Sequence, residues 1–221
     1  MTKSKATEKM TEVETGRGSS TRTAILTAAE RTFAQSGLAG ARIDVIAAEA
    51  GVNKALLYYY FKSKEALYEA VLEEHLSAFN RRAMAVLTGP GSARSVLLDF
   101  IGLQFDFISA RRRHVSLVHQ FISSRRKFSE ELVQKYIAPR VDALNALLER
   151  GMRAGEFRRV DRMHVGISIG ALITSYFSAE PMLRMLGYAD PYGDENLQRR
   201  KQEVLDFVRH GLFTEPDSSA P

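Results

Sequence analysis

Residues 53 to 64 read Asn-Lys-Ala-Leu-Leu-Tyr-Tyr-Tyr-Phe-Lys-Ser-Lys, and several of these side chains handle anions. The consecutive tyrosines Tyr58, Tyr59 and Tyr60 offer phenolic O–H donors, and Lys62 and Lys64 bring positive charge to the same helix end. That is the chemistry of a surface facing phosphates. The elements just upstream must hold it in place. Ile43, Ile46, Ala47 and Ala50 recur at helical spacing until Gly51 stops the run. Val52 is expected to bury the turn and Asn53 to cap the next helix, with Leu57, Tyr58 and Phe61 seating that helix on the core. Two short helices joined so tightly have the length needed to place one of them in a DNA groove.

The rest of the chain supplies the scaffold, and its pattern is helical. Ser20 or Thr21 can cap a first helix with the apolar face Ile25, Ala28, Ala29 and Phe33, closing at Ser36 and Gly37. A longer helix follows from about Ser63, its own cap, to Leu87, with Leu67, Val71, Leu72, Leu76 and Phe79 on one face. After a break at 88–92, Ser92 or Ser95 opens a helix that ends at the basic run Arg111, Arg112 and Arg113. A short helix at Val115 to Ser124 comes next. Ser129 caps a long one with Leu132, Tyr136, Val141, Leu144, Leu147 and Leu148, which Pro139 should kink. Met163 to Phe177 forms the most apolar helix. Ser178 caps a short continuation with Pro181 in its first turn, and a last helix runs from about Glu195 to Leu212.

No strand pattern is present, so the expected fold is all-α. Residues 1–18 and 215–221 read as disordered tails. Residues 19–65 form a three-helix DNA-binding domain with its helix-turn-helix at 42–61, and residues 66–214 a larger helical domain.

Composition agrees with a polyanionic partner. The 221 residues carry a formal net charge of +5. Between Arg17 and Lys64, seven basic residues outnumber three acidic ones, so most of the excess lies around the two-helix segment. There is no cysteine, which excludes disulfides and thiolate chemistry and suits a reducing cytoplasm. No apolar stretch approaches the ~20 residues that cross a bilayer, and the first residues lack the apolar core of a signal peptide. The expected location is cytoplasmic, away from membranes. The five histidines show no metal-ligand spacing, and no nucleophile, base or phosphate loop forms a catalytic set. No metal, no cofactor and no enzymatic activity are expected.

The stretch IDVIAAEAGVNKALLYYYFKSKEAL resembles the tetracycline-repressor (TetR) family of bacterial transcription regulators. It follows the family pattern I-A-x-x-A-G-V-(S/N)-K-x-x-L-Y-x-x-F-x-(S/N)-K-E-x-L, and the preceding helix with Phe33 and Gly37 is also similar. The likeness covers about the first third of the chain. The remainder matches in layout, including the GEFR turn at Gly155 to Arg158.

This resemblance implies roles for particular residues. Lys54, Ala55 and Leu56 lead the recognition helix, with Lys54 donating to guanine and Ala55 or Leu56 meeting a thymine methyl. Tyr59 and Tyr60 donate to phosphates, and Lys64 adds its charge at the start of the following helix. Lys62 is either a phosphate contact or a solvated side chain. Arg42 stands where relatives often have threonine; it can bind phosphate but caps poorly. Asp44 stands at a base-reading position, where it either accepts from a cytosine amino group or repels phosphates.

The helices at 163–177 and 195–212, with Gly166, Ser168, Gly170 and Ala171 on the first and Val204, Leu205, Phe207, Val208 and Leu212 on the second, resemble the family's dimerisation pair. A homodimer on a palindromic DNA operator is therefore implied. The middle helices would enclose a small-molecule effector. Candidate lining is His75, Phe79, Gln104, Phe105, His119, Phe121, Tyr136 and Tyr176, with ordinary packing as the competing reading of each. The implied function is a repressor released from its operator by that effector. The alternative is an activator, or a DNA-bound interaction protein without an effector.

Overall fold

In the computed structural model, residues 3–111, 117 and 127–214 are described, those at 3–18 and 127–129 through their backbone alone. They divide into two compact units, Met1–Glu74 and His75–Pro221.

In the first unit, α1 (Lys3–Gly40) bends at Gly37, whose φ of 63° and ψ of 178° only glycine adopts readily. The backbone of residues 3–18 is helical and continuous with α1, which corrects the expected disordered tail. Lys, Ala, Glu and Met dominate the first half of that stretch, and such residues favour helix without any apolar periodicity. The expected stop at Gly37 is a bend, with helix resuming to Gly40. The short helices α2 (Ile43–Glu49) and α3 (Lys54–Phe61) follow.

Between α2 and α3, Gly51 takes φ +67°, and the Val52 N–H returns to the Ala47 carbonyl at 3.0 Å. This left-handed closure satisfies carbonyls that the end of α2 leaves open. Ile25, Ala29 and Phe33 of α1, Ile46 of α2 and Leu57 of α3 are all fully buried. The unit extends past the expected boundary at residue 65 because α4 (Lys64–Leu87) buries Leu67, Tyr68, Val71 and Leu72. The Tyr68 ring meets Phe33 edge-on at 5.0 Å, so the first turns of α4 belong to this core.

The second unit centres on α5 (Ala93–Ala110), opened by Ser92, whose side chain accepts from the Ser95 N–H. Its chain continues through α6 (Lys127–Leu132), a π-helical segment (Val133–Ile137) and α7 (Ala138–Arg153). Then come α8 (Arg162–Ser178), α9 (Glu180–Met185) and α10 (Asp194–Leu212). α5 packs against α7, α8 and α10, and its Leu97, Ile101 and Phe105 share one core with Leu148, Ile173 and Val204.

The disruption expected at Pro139 takes the form of the π segment. Proline has no N–H to donate and would crowd the carbonyl four residues back. Instead the Ala138 N–H reaches back five residues to Val133, widening the helix just before the proline. Two expected caps also differ. α6 starts at Lys127, ahead of Ser129, and Ser178 turns back to the Thr174 carbonyl, so α9 has no side-chain cap. Asp161 caps α8, accepting from the His164 N–H at 3.0 Å.

The unit is closed by the GEFR turn. Phe157 pairs through the backbone with Phe213, and their rings stack at 5.3 Å. Arg94 donates to the Glu156 carbonyl and the Thr214 hydroxyl. A Cβ built on Gly151 would lie 2.2 Å from the Phe157 ring, so any side chain here must displace that ring. Residues 215–221 lie outside the described residues, as does the expected helix at Val115 to Ser124 apart from helical, buried Leu117. No described helix is long and apolar enough to cross a membrane.

Candidate functional site

α3 is the element that presents the anion-handling side chains. Asn53 caps it, its Oδ1 accepting from the Leu56 N–H at 2.8 Å, and this holds the first turn rigidly at the end of the tight turn. Leu57 and Phe61, one helical turn apart, are buried. The opposite face carries Lys54, Ala55, Leu56, Tyr58 and Tyr59, all exposed. Tyr58 was expected on the core seam, yet it is 42% exposed. The reason is angular: one residue beyond Leu57 is about 100° round the helix, which places Tyr58 over Lys54. Tyr59 and Tyr60 pack edge-to-face at 5.4 Å, with Tyr60 half-buried and Tyr59 presented outward.

The charges on this face are already engaged. Lys54 Nζ lies 2.7 Å from Asp44, and Arg42 lies 3.8 Å from the same carboxylate. The Lys54 hydrogen bond, with the charges of Lys54 and Arg42, holds the Asp44 carboxyl below its ordinary value. So Arg42, Asp44 and Lys54, separate in sequence, form one exposed cluster across α2 and α3. Arg42 makes no side-chain cap to α2, as its chemistry implied.

Lys62 ends α3 at φ +55°, an unfavourable conformation for a side-chain-bearing residue. Its ammonium lies 5.8 Å from the Tyr59 ring centroid. Lys64, expected at a phosphate, also has a partner within the unit. Its Nζ donates to the Ala41 carbonyl at 3.2 Å and to Ala39 at 3.4 Å, tying α4 to the end of α1. Ser63 caps α4, accepting from the Ala66 N–H.

The described members of the expected effector set all lie in the second unit. Phe105 is buried against Phe177, and Tyr176 also meets Phe177 while donating its hydroxyl to the Pro191 carbonyl. Neighbouring side chains and backbone cover much of both residues. Burial raises the Tyr176 hydroxyl above its ordinary value. Phe79 is buried in the same core, its ring 4.9 Å from Phe107. His75 is buried earlier on α4, Tyr136 sits in the π segment and Gln104 is half-buried on α5. His119 and Phe121 lie outside the described residues.

The sequence reading did not single out Arg140. Its guanidinium lies over Phe79, Cζ 4.8 Å from the ring centroid, and its Nη1 is buried with no hydrogen-bond partner. Among the described residues no carboxylate pairs with it. Burial lowers its pKa to about 10, which leaves it charged at neutral pH. A cation over an aromatic face recovers about 0.5–2 kcal/mol, while desolvating an ion costs several. Phe79 therefore does not compensate Arg140. The available signal was its register: Arg140 falls four residues after Tyr136 and four before Leu144, on the seam otherwise read as apolar.

α8 and α10 leave apolar side chains in water. Met163, Ile167 and Phe207 are each more than 60% exposed. Leu172, Arg200, Val204, Phe207 and His210 border an open groove of about 630 Å³. Val204, Val208 and Leu212, expected at an interface, are instead buried within the unit, because their spacing faces α5 and α8. Among the described residues no cluster of metal-ligating side chains occurs.

The pattern described as "Bacterial regulatory proteins, tetR family" matches residues 25–71, and that described as "Tetracyclin repressor-like, C-terminal domain" matches residues 95–208. The chain is 30% identical over 193 residues to the HTH-type transcriptional regulator RutR of Escherichia coli K12, covering 86% of this chain and 89% of that one. It is 28% identical over 143 residues to the HTH-type transcriptional repressor NicS of Pseudomonas putida, covering 62% and 66%. Its fold is similar to the crystal structure of the transcriptional regulator FadR from Bacillus subtilis in complex with stearoyl-CoA. There the TM-score is 0.66 at 19% identity, covering 84% of this chain and 96% of that one. These relatives are regulators of transcription, not enzymes.

Proposed function

The chain belongs to the tetR family of bacterial regulatory proteins, and from that premise we propose that it is a cytoplasmic homodimeric repressor, released from a palindromic operator by a small molecule. The observation that carries this reading is the outward face of α3. A capped helix held by Leu57 and Phe61 presents Lys54, Ala55, Leu56, Tyr58 and Tyr59 to solvent. Side chains of this kind near a helix start reach base edges in a major groove, and flanking hydroxyls and ammonium groups hold the backbone.

One such helix reads only a few base pairs, so specific binding needs a second copy about one turn of DNA away. The exposed Met163, Ile167 and Phe207 supply an apolar surface that a second chain would cover. The repressor NicS and the stearoyl-CoA complex of FadR support repression and small-molecule binding as the family uses of the two units. An effector acts only if it binds one dimer geometry better than the other. The alternative, a regulator of this fold without an effector, is favoured if no compound alters operator affinity.

Selection of bound genomic fragments with the full chain, followed by footprinting, tests the proposal. A palindromic site protected by a protein that light scattering finds dimeric is the expected result. Absence of any preferred sequence would overturn it.

A further inference from the structure

We propose that Arg140 anchors the charged end of a small apolar carboxylate whose body lies against the Phe79–Phe107 pair. The inference rests on the reading of residues 75–214 as the effector-binding unit and names the chemical class of that effector. Three observations converge on it. First, Arg140 Nη1 is buried and makes no hydrogen bond, so a donor stands ready for an acceptor that the described residues do not supply. Second, the guanidinium lies over Phe79, Phe79 touches Phe107, and Arg111 Cζ lies 4.6 Å from the Phe107 centroid. Two apolar rings thus run between two cations. Third, Arg140 lies three residues after the π segment. Such segments widen a helix and recur where side chains are aimed at ligands.

The charge pattern selects the class. A neutral ligand would leave the guanidinium uncompensated, and a cation would oppose it. A carboxylate accepts a charge-assisted hydrogen bond, and the aromatic pair suits an apolar body. Arg111, at the C-terminal end of α5, adds attraction for the same sign of charge at the other ring.

The test uses the full-length protein with benzoate and octanoate as probes, against benzamide and octanamide as uncharged counterparts. Calorimetry is expected to show at least one acid binding tenfold or more tightly than its amide. Arg140→Met keeps the stem and removes the charge. It should lose that affinity at least tenfold while unfolding at the same or a higher temperature than wild type, because a charged group with a buried, unbonded N–H is gone. Arg140→Lys should retain part of the affinity. Acids binding no better than amides would overturn the proposal, as would unchanged affinity in Arg140→Met. So would a lowered Tm in both variants, which would mark Arg140 as structural.

Operator binding separates this inference from the reading beneath it. Arg140-dependent acid binding that leaves operator affinity unchanged supports the anchor and counts against effector release. Release by an uncharged compound, equally in wild type and Arg140→Met, sinks the anchor and keeps effector release.

Discussion

Lys54 and Arg140 are both cations on helices, but their surroundings differ. Lys54 stands in water, 2.7 Å from Asp44. Arg140 is half-buried, and its buried Nη1 meets no acceptor among the described residues. An exposed pair contributes little to stability and is screened by salt, so a phosphate or base can take Lys54 from Asp44 at small cost. The buried N–H of Arg140 has no such exchange with water. Left unpaired it weakens the fold, which makes it a position where function outweighs stability. The two units therefore hold charge for binding in two ways, one by a loose internal partner and one by withholding a partner.

The sharpest way to break this comparison is to remove the frames that hold the two sites. Leu57→Ala empties a fully buried position behind α3 and should cost about 2–5 kcal/mol. Denaturant melts should show this, with loss of operator binding. Gly151→Ala drives a Cβ into the Phe157 ring at 2.2 Å and should cost about 1–3 kcal/mol in the second unit. Hydrogen exchange should localise the loss to residues 151–157 and their neighbours.

Smaller changes sharpen the contrast. Lys62→Gly relieves the positive φ of 55° and should stabilise the first unit by about 1 kcal/mol, while removing one cation from the DNA face. Asp161→Ala removes the cap of α8. The His164 N–H holds the Asp161 carboxyl below its ordinary 3.8. A depressed pKa stabilises the fold above the unfolded value and loses that effect as pH falls through the folded one. Wild type should therefore melt above the variant at pH 7, and the gap should close below pH 3.8.

Asp44→Asn should leave Tm almost unchanged. Freed from its partner, Lys54 should raise affinity for all DNA severalfold at low salt and steepen the salt slope by about one. An unchanged slope would mean that Lys54 contacts no phosphate. Lys64→Ala, by contrast, should lower stability as well as DNA affinity, since its ammonium bonds the Ala39 and Ala41 carbonyls.

Much of the first unit was legible because its signals are local. Gly51 in the turn, Asn53 and Ser63 as caps, and Leu57 and Phe61 on the buried face all follow from rules spanning a few residues. Tyr58 was misplaced because the seam of so short a helix is narrow, and one residue's rotation carries a side chain out of it. The fate of Lys64 could not be read, since its partners lie more than twenty positions earlier. In the second unit the helices were legible and their inward faces less so. Val204, Val208 and Leu212 looked available for a partner until α5 was seen to cover them.

By itself the sequence determined an all-helical chain, a helix-turn-helix with its cap and turn, and an excess of positive charge around it. Periodicity, caps and charge are properties of neighbouring residues, so no folded structure is needed to read them. Only the tertiary structure decided that Lys54 is shared with Asp44, that Lys64 is tied to the end of α1, and that Arg140 lies over Phe79 with a buried Nη1 that no described residue pairs. Those outcomes depend on which distant segments meet, and desolvation and pairing act through that meeting in space.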